Sequence, residues 1–321
     1  MSLTEPLPLA QRAPNSGFAN GWFCVAESAD ARDNTLHPIY FFNRQLIVYR
    51  TSDGVARVSD AFCPHLGAHL ASHNGALRAD RIVCPFHRWQ WNAVSGECAS
   101  IPYCDRVPRV SLELFPTREV DGMVLMWHHS KGLPPDHEPY CAGIVEQKDM
   151  VPYETKSWTA TAPFRDVLEN FADTAHVVSL HGYVLPTLTA MERTPQGLRM
   201  ELGLNYSLGA GAPDARMVCN FSGISLLFQS FELGPARLAV THSFTPIDQE
   251  RMLHKCRLFV SDLGSRDLTL QMGKQFAERF YFDVEQDLKV LNFKKHLTQP
   301  KLCAGDGPIM HFRNYQDSYY A

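Results

Sequence analysis

The sequence predicts an α+β chain of two domains, an all-β N-terminal domain followed by one that combines an antiparallel sheet with helices, and three observations carry this expectation. Short β-rich runs punctuated by Gly and Pro turns extend from residue 37 to about residue 127. Residues 131–139 (KGLPPDHEP) then have the Pro, Gly and charge content of a linker. Beyond it, two stretches of helical periodicity, 163–180 and 267–297, flank strand-like segments over 198–261. The expected organisation is an N-terminal arm (1–18), a first domain (19–130), a linker (131–155) and a second domain (156–321).

Residues 1–21 have neither the basic start nor the apolar centre of a secretory signal. Over 37–60, the runs YFF (40–42) and LIVY (46–49) are separated by Asn43 and Arg44 and followed by the turn Ser52, Asp53 and Gly54, which reads as consecutive hairpins. In 163–180 the apolar residues Phe164, Val167, Leu168, Phe171, Ala175 and Val178 recur at threes and fours, the spacing of one helix face. The segments SLLFQSF (225–231) and LAVTHSF (238–244) are strand-like between Gly, Pro and Asp turns, and suggest a curved antiparallel sheet. In 267–297 only Gly273 interrupts the helical pattern, and Pro300 with the run 305–308 (GDGP) ends it.

Composition bounds the function. With 321 residues, 45% hydrophobic and 20% charged, the chain can bury a large core, which excludes disorder, collagen and coiled coil. The net charge is −4 and no run of Lys and Arg forms a phosphate-binding face, so no nucleic-acid partner is expected. No apolar run approaches the roughly 18 residues that span a bilayer, and the simplest expectation is a soluble cytoplasmic protein. Nine cysteines form an odd set without framework spacing, so thiols or metal ligands are expected in place of disulfides. Neither GxGxxG nor GxxxxGK[ST] is present, so electrons from a nicotinamide must be handled by another polypeptide.

Two Cys/His pairs stand out. Cys63-Pro64-His65 and Cys84-Pro85-Phe86-His87 are separated by the eighteen residues 66–83 and fall on two turns of the strand-rich half. Two thiolates and two imidazoles are the ligands of a Rieske [2Fe-2S] cluster, in which the cysteines hold one iron and the histidines the other. The same four residue types also make a structural Cys₂His₂ zinc site, and chance placement is the plain alternative. The prolines stiffen each loop, and Gly67 supplies a backbone position without a side chain. His69 and His73 lie outside both pairs and read as solvated loop histidines.

The segments CPHLGAHLA (63–71), VCPFHRWQWNAVSGECASIPY (83–103) and ENFADTAHVVSLH (169–181) resemble Rieske non-haem iron oxygenases, in particular the branch of 3-ketosteroid 9α-hydroxylase oxygenases and cholesterol 7-desaturases. The likeness runs from about residue 21 to the C-terminus, where GDGP (305–308) and Arg313 contribute to it. Arg88 is a departure, because relatives commonly have Gly after the second histidine. The resemblance implies a Rieske domain followed by a helix-grip catalytic domain, with a [2Fe-2S] cluster at Cys63, His65, Cys84 and His87 and a mononuclear Fe(II).

On a helix Asp173 and His176 would lie one turn apart on one face, whereas His181, five residues further, requires the helix to end or bend. Two imidazoles and one carboxylate on one face of Fe(II) leave positions open for dioxygen. The third ligand must come from elsewhere, with Asp283, Glu285 and Asp287 as candidates in YFDVEQDLKVLNFKK (281–295). The family pattern of an acidic residue, an aliphatic pair and a lysine implies Asp287 with Val290, Leu291 and Lys294, although relatives usually have Trp at the place of Leu291. Asp283 and Glu285 then read as solvated helix faces. The resemblance further implies that Asp173 hydrogen-bonds between a cluster histidine of a neighbouring subunit and an iron-bound histidine, and that Asn170 lies near the open position. An ordinary turn aspartate and a capping asparagine are the plain alternatives.

The family implies a homotrimer, an NAD(P)H-dependent reductase or ferredoxin as electron donor, and hydroxylation of a steroid- or sterol-like substrate. Desaturation, demethylation or oxidation of a polycyclic aromatic at the same site stay open, as does a Rieske electron-transfer protein with an appendage. Residues 217–231 alternate apolar side chains that could line a large pocket or serve as ordinary core.

Overall fold

The computed structural model describes residues 6–13, 17–32, 34–204, 215–234 and 236–320. They form two units, Trp22–Asp136 and the chain from His137 onward together with the segment before Trp22. In that N-terminal segment a single turn, α1 (Leu9–Arg12), ends on an arginine that is 4% exposed. Its guanidinium donates to the carbonyls of Leu7, Thr161 and Lys294 at 2.6, 2.5 and 3.0 Å, which ties the segment to the rest of its unit. Residues 1–5 and 14–16 of the expected arm lie outside the described residues.

The strand-rich unit is built from β1 (Gly21–Glu27), β2 (His37–Phe41), β3 (Arg44–Arg50), β4 (Ala56–Asp60), β5 (Ala76–Arg78), β6 (Arg81–Val83), β7 (Gln90–Asn92), β8 (Cys98–Ser100), β9 (Leu114–Phe115), β10 (Thr117–Val120) and β11 (Met123–His128). They make three sheets, ordered β1-β11-β10, β2-β3-β4-β9 and β5-β6-β7-β8. The turn of the β2–β3 hairpin falls on Phe42 and Asn43, one residue earlier than the sequence reading placed it, with φ of 57° and 59°. Two successive positive φ values match the right-handed strand twist, and Phe42 tolerates the conformation because its ring stacks on His128 at 4.4 Å. The β5–β8 sheet and its loops enclose a core of Leu70, Ile82, Trp89, Trp91 and both predicted cluster cysteines.

In the second unit the expected curved sheet is one antiparallel sheet of seven strands, ordered β12-β18-β17-β16-β15-β14-β13. Its strands are β12 (Met150–Ala160), β13 (Thr187–Thr194), β14 (Gly197–Leu204), β15 (Ala215–Ser222), β16 (Leu226–Leu233), β17 (Ala236–Pro246) and β18 (Met252–Ser261). Residues 150–155, read as the end of the linker, are already in β12; 205–214, within the expected strand region, lie outside the described residues. Between β12 and β13 stand α2 (Phe164–Glu169) and α3 (His176–Ser179), and after β18 come α4 (Arg266–Leu291) and α5 (Ile309–Asp317).

The long helix α4 lays Ala277 and Tyr281 on Phe231, Leu238, Val240, Cys256 and Leu258 of the sheet. Gly273 is required there by close approach: a Cβ would stand 2.4 Å from the Tyr153 ring. The stretch 163–180 is not the one helix its period predicts. It breaks at Asn170 and restarts at His176, because Asp173 Oδ1 accepts the N–H groups of Ala175 and His176, both at 3.2 Å, in place of a continuing helical ladder.

Candidate active site

Cys63 and Cys84 are 2% and 1% exposed and close enough for one thiol to hydrogen-bond the other. That shared bond pulls the Cys84 thiol down to about 6 and pushes the Cys63 thiol up, so the pair is disposed to lose a proton to a metal. Each cysteine sits at the start of a tight loop: Cys63 N–H donates to the Ala68 carbonyl and Gly67 N–H to that of Cys63, while Cys84 N–H donates to the Trp89 carbonyl. Gly67 has φ +73° and nothing within 4 Å of a Cβ, so it is needed for its conformation, not for the room expected from sequence. Arg88 occupies a left-handed position as well, at φ 60°, which gives a physical reason for glycine in relatives.

His65 stacks on Trp89 at 4.2 Å, and its ring lies 4.8 Å from that of His87 at an interplanar angle of 73°. The Nδ1 atoms of both histidines are buried without a hydrogen-bond partner. Two orphaned imidazole nitrogens beside two buried thiols fit a Rieske [2Fe-2S] cluster, with sulfur for one iron and nitrogen for the other. His73 is exposed, as expected, and His69 is half-buried, with Nδ1 accepting the Ala71 N–H at 3.2 Å.

In the second unit, the restart at α3 and the loop after it turn His176 and His181 toward each other, with ring centroids 5.2 Å apart. Asp287 reaches them from α4: its Oδ1 is 3.0 Å from His181 Nε2 and 3.6 Å from His176 Nε2. That oxygen is buried and has no hydrogen-bond partner. Burial, then the charge of Asp283, push the Asp287 carboxyl up to about 7, while burial lowers both imidazoles. Two neutral imidazoles and an underneutralised carboxylate converging on one point fit a divalent iron. Asn170 is at the same place, with Nδ2 3.3 Å from His176 Nε2 and a hydrogen bond to Asp287.

Two expectations change. Asp283 is no solvated face: its side chain is 15% exposed, with Oδ1 3.5 Å from His181 Nδ1 and Oδ2 accepting the Tyr183 hydroxyl at 2.6 Å. Arg279 adds a bond to the Tyr183 hydroxyl at 2.7 Å and one to the His181 carbonyl at 2.6 Å, so the loop 181–183 is fastened to α4. Asp283 and Asp287 are one helical turn apart, and that i, i+4 spacing is the signal that would have found the second carboxylate. Glu285 is the outward-facing one, paired with Lys156 at 2.8 Å. Asp173, expected to hydrogen-bond an iron-bound histidine, has a side chain 34% exposed. Its backbone carbonyl, at 2.5 Å, faces His176 Nδ1 more closely than its carboxylate, at 4.0 Å.

A buried ionic cluster stands behind the site. Glu169 accepts a fork from Arg313, and Asp166 is ion-paired with Lys294 at 2.9 Å and hydrogen-bonded to His296 at 2.7 Å. These partners come from α2, α5 and the segment after α4; Lys294 and Arg313 stood out in the sequence, but their pairings did not. Burial alone would raise the Asp166 carboxyl, but the His296 hydrogen bond and the Lys294 charge outweigh it and hold the group below its ordinary value. A depressed carboxyl stabilises the fold above its unfolded pKa and loses that contribution as pH falls through the folded one. Wild-type protein is therefore expected to lose stability in acid below about pH 4, and Asp166→Asn to show a flatter profile in denaturant titrations across that range.

A cavity of about 670 Å³ opens onto His176, His181, Asp287 and Asn170, and its wall carries Leu202, Leu204, Met217, Phe231, Leu238 and Phe276. Of the 217–231 segment, Met217, Gln229 and Phe231 contribute to the cavity wall, and residues such as Cys219, Phe221, Leu226 and Leu227 are core.

The Rieske [2Fe-2S] domain family matches residues 21–112, and the 3-ketosteroid 9α-hydroxylase C-terminal domain family matches residues 126–320. A 3-ketosteroid-9-alpha-monooxygenase oxygenase component of Rhodococcus rhodochrous is 28% identical over 94% of this chain and 80% of its own length. A cholesterol 7-desaturase of Xenopus laevis is also 28% identical, over 95% and 72%. Among solved structures, a Pseudomonas putida CBB5 NdmA mutant with caffeine superposes with a TM-score of 0.73 at 16% identity, covering 93% of this chain and 89% of that one. Dicamba monooxygenase bound to dicamba gives 0.70 at 15%, covering 94% and 97%; these two likenesses bear on the fold. Fold and site define a Rieske-type, non-haem iron oxygenase component. The chain belongs to the Rieske oxygenases that carry the 3-ketosteroid 9α-hydroxylase C-terminal domain.

Proposed function

We propose that this protein hydroxylates a C–H bond of a steroid- or sterol-like polycycle, with Cys63, His65, Cys84 and His87 holding the cluster and His176, His181 and Asp287 holding the iron. The observation that carries this reading is the apolar cavity ending on the two imidazoles and the carboxylate. Its volume lies within the roughly 300–1,000 Å³ of small-molecule sites, and its wall excludes water from a rigid hydrocarbon skeleton. Iron bound there would supply dioxygen activation beside the substrate, and a cluster held by Cys63, His65, Cys84 and His87 would accept electrons from a separate reductase or ferredoxin. Tyr183 and Arg279 hold the His181 loop against α4, with Asp283 Oδ1 3.5 Å from the His181 ring; the Asp173 carbonyl fixes the ring of His176. Asn170 directs its amide at the same centre and orders what binds beside it.

The same reading includes a homotrimer and a cytoplasmic location; no helix among the described residues is long and apolar enough to cross a membrane. Asp173 Oδ1 is taken by backbone donors, whereas Oδ2 has no hydrogen-bond partner among the described residues and is available to a cluster histidine of a neighbouring subunit. Asp173→Asn is expected to keep the cluster and the mononuclear iron and to stop turnover; full activity would remove Asp173 from the electron route.

The substrate is tested by mass spectrometry of products after supplying the metal-loaded protein with a surrogate reductase, NADH and a panel of 4-ene-3-ketosteroids, 3β-hydroxysterols and polycyclic aromatics. Gain of one oxygen by a steroid supports the proposal. Loss of two hydrogens from a sterol supports the desaturase reading that the equally similar Xenopus relative favours. Conversion of the aromatics alone would contradict both.

A further inference from the structure

His242 on β17 and His254 and Cys256 on β18 lie apart from the triad, on one face of the sheet. His242 and Cys256 are directly paired across the strands, and His254 is two residues before Cys256, so the pleat brings all three side chains to the same side. They are 1%, 3% and 0% exposed. His242 Nδ1 is 3.1 Å from His254 Nε2, and Cys256 Sγ is 3.3 Å from each of those nitrogens. Three electron-pair donors thus face one another in a closed triangle. In a tetrahedral zinc site with Zn–N near 2.0–2.1 Å and Zn–S near 2.3 Å, the corresponding edges are roughly 3.3 Å and 3.6 Å. The observed triangle is slightly smaller and of the same shape.

Hydrogen bonding between the two rings explains one edge of this triangle and leaves the buried His254 Nδ1 without a partner. The other nitrogen of His242, Nε2, is 3.2 Å from Gln229 Oε1, so its proton belongs there and Nδ1 presents a lone pair. His254 Nδ1 is buried without a hydrogen-bond partner, so the proton of that ring sits on Nε2 against the His242 lone pair, and a cation held between the two nitrogens would move it to Nδ1. The His242–Gln229 bond is the arrangement that orients metal-ligating imidazoles, with a carbonyl on the far nitrogen. Burial lowers the His254 imidazole to about 3 and that of His242 well below its ordinary value, so both rings are neutral donors.

We propose that His242, His254 and Cys256 bind one thiophilic d¹⁰ cation, Zn(II) in the first instance, separately from the cluster and the iron. Two imidazoles and a thiolate suit zinc, and hard, oxygen-preferring cations are disfavoured. On binding, the Cys256 thiol gives its proton to solvent and no electron is transferred. His242, His254 and Gln229 line the cavity, from which a small neutral donor reaches the site.

The test uses protein whose cluster and mononuclear iron are both full, two irons plus one per chain. One equivalent of Zn(II) is added, the protein is desalted, and both metals are counted by mass spectrometry. The proposal expects one zinc per chain with the iron count unchanged, and no retained zinc in Cys256→Ser or His254→Gln variants that keep the visible spectrum of the cluster. Co(II) in place of zinc should give a thiolate-to-cobalt charge-transfer band that Cys256→Ser lacks. No retained zinc in the wild type, equal retention by the variants, or zinc entering with loss of one iron and no cobalt–thiolate band would each overturn it.

Discussion

Asp287→Ala is expected to leave the protein folded, with its cluster spectrum intact and one iron fewer per chain, and to reduce turnover to background. The physical case rests on what Asp287 does in the protein: its Oδ1 is buried, lacks a hydrogen bond and faces both imidazoles. Removing it takes away the only carboxylate oxygen within ligand reach of both Nε2 atoms among the described residues, leaving two neutral nitrogens, which hold Fe(II) poorly. Asp283→Asn provides the graded comparison. It keeps the three donors but weakens the support of the His181 ring, for which losses of about 10–100-fold in metal affinity are usual. Iron analysis and cluster absorbance together check the pair. Retention of all iron by Asp287→Ala would show that the third ligand lies elsewhere.

Glu169→Ala is expected to be the most destabilising single change in the catalytic half. The side chains of Glu169 and Arg313 are 5% and 9% exposed, and the carboxylate accepts both a fork from Arg313 and a bond from Lys294 at 3.4 Å. Truncating one partner of a buried pair leaves the other charge desolvated, at about 3–5 kcal/mol. At 2–4 °C per kcal/mol for a unit of this size, the melting temperature should fall on the order of 10 °C. Because α2 ends at Glu169 and the Asn170–His176 turn follows directly, lost iron affinity should accompany the lost stability. Thermal unfolding followed by circular dichroism measures the first effect; a shift below about 2 °C would show that Arg313 finds another partner.

What was legible in sequence was local. Cys63-Pro-His65 and Cys84-Pro-Phe-His87 are readable because each pair sits on one tight loop whose geometry three or four residues determine. The order of sheet and helices followed from periodicity in the same way. The apolar spacing of 163–180 misled, because periodicity registers which side chains are buried and not which backbone N–H groups the Asp173 carboxylate captures. Asp283 was misread as solvated because its partners, His181 and Tyr183, lie about a hundred residues away. The triangle of His242, His254 and Cys256 depends on the register between β17 and β18, which a single sequence does not display.

Iron held by His176, His181 and Asp287 would supply dioxygen activation, and one oxygen atom would enter a steroid-like substrate. The most direct test is a single turnover of the reduced, fully metal-loaded protein under ¹⁸O₂ with a 4-ene-3-ketosteroid, followed by mass spectrometry of the product. The account predicts one ¹⁸O atom in the product of the wild type and none with Asp287→Ala. Oxidation of the cluster with both metal sites full and no label in any organic product would contradict it.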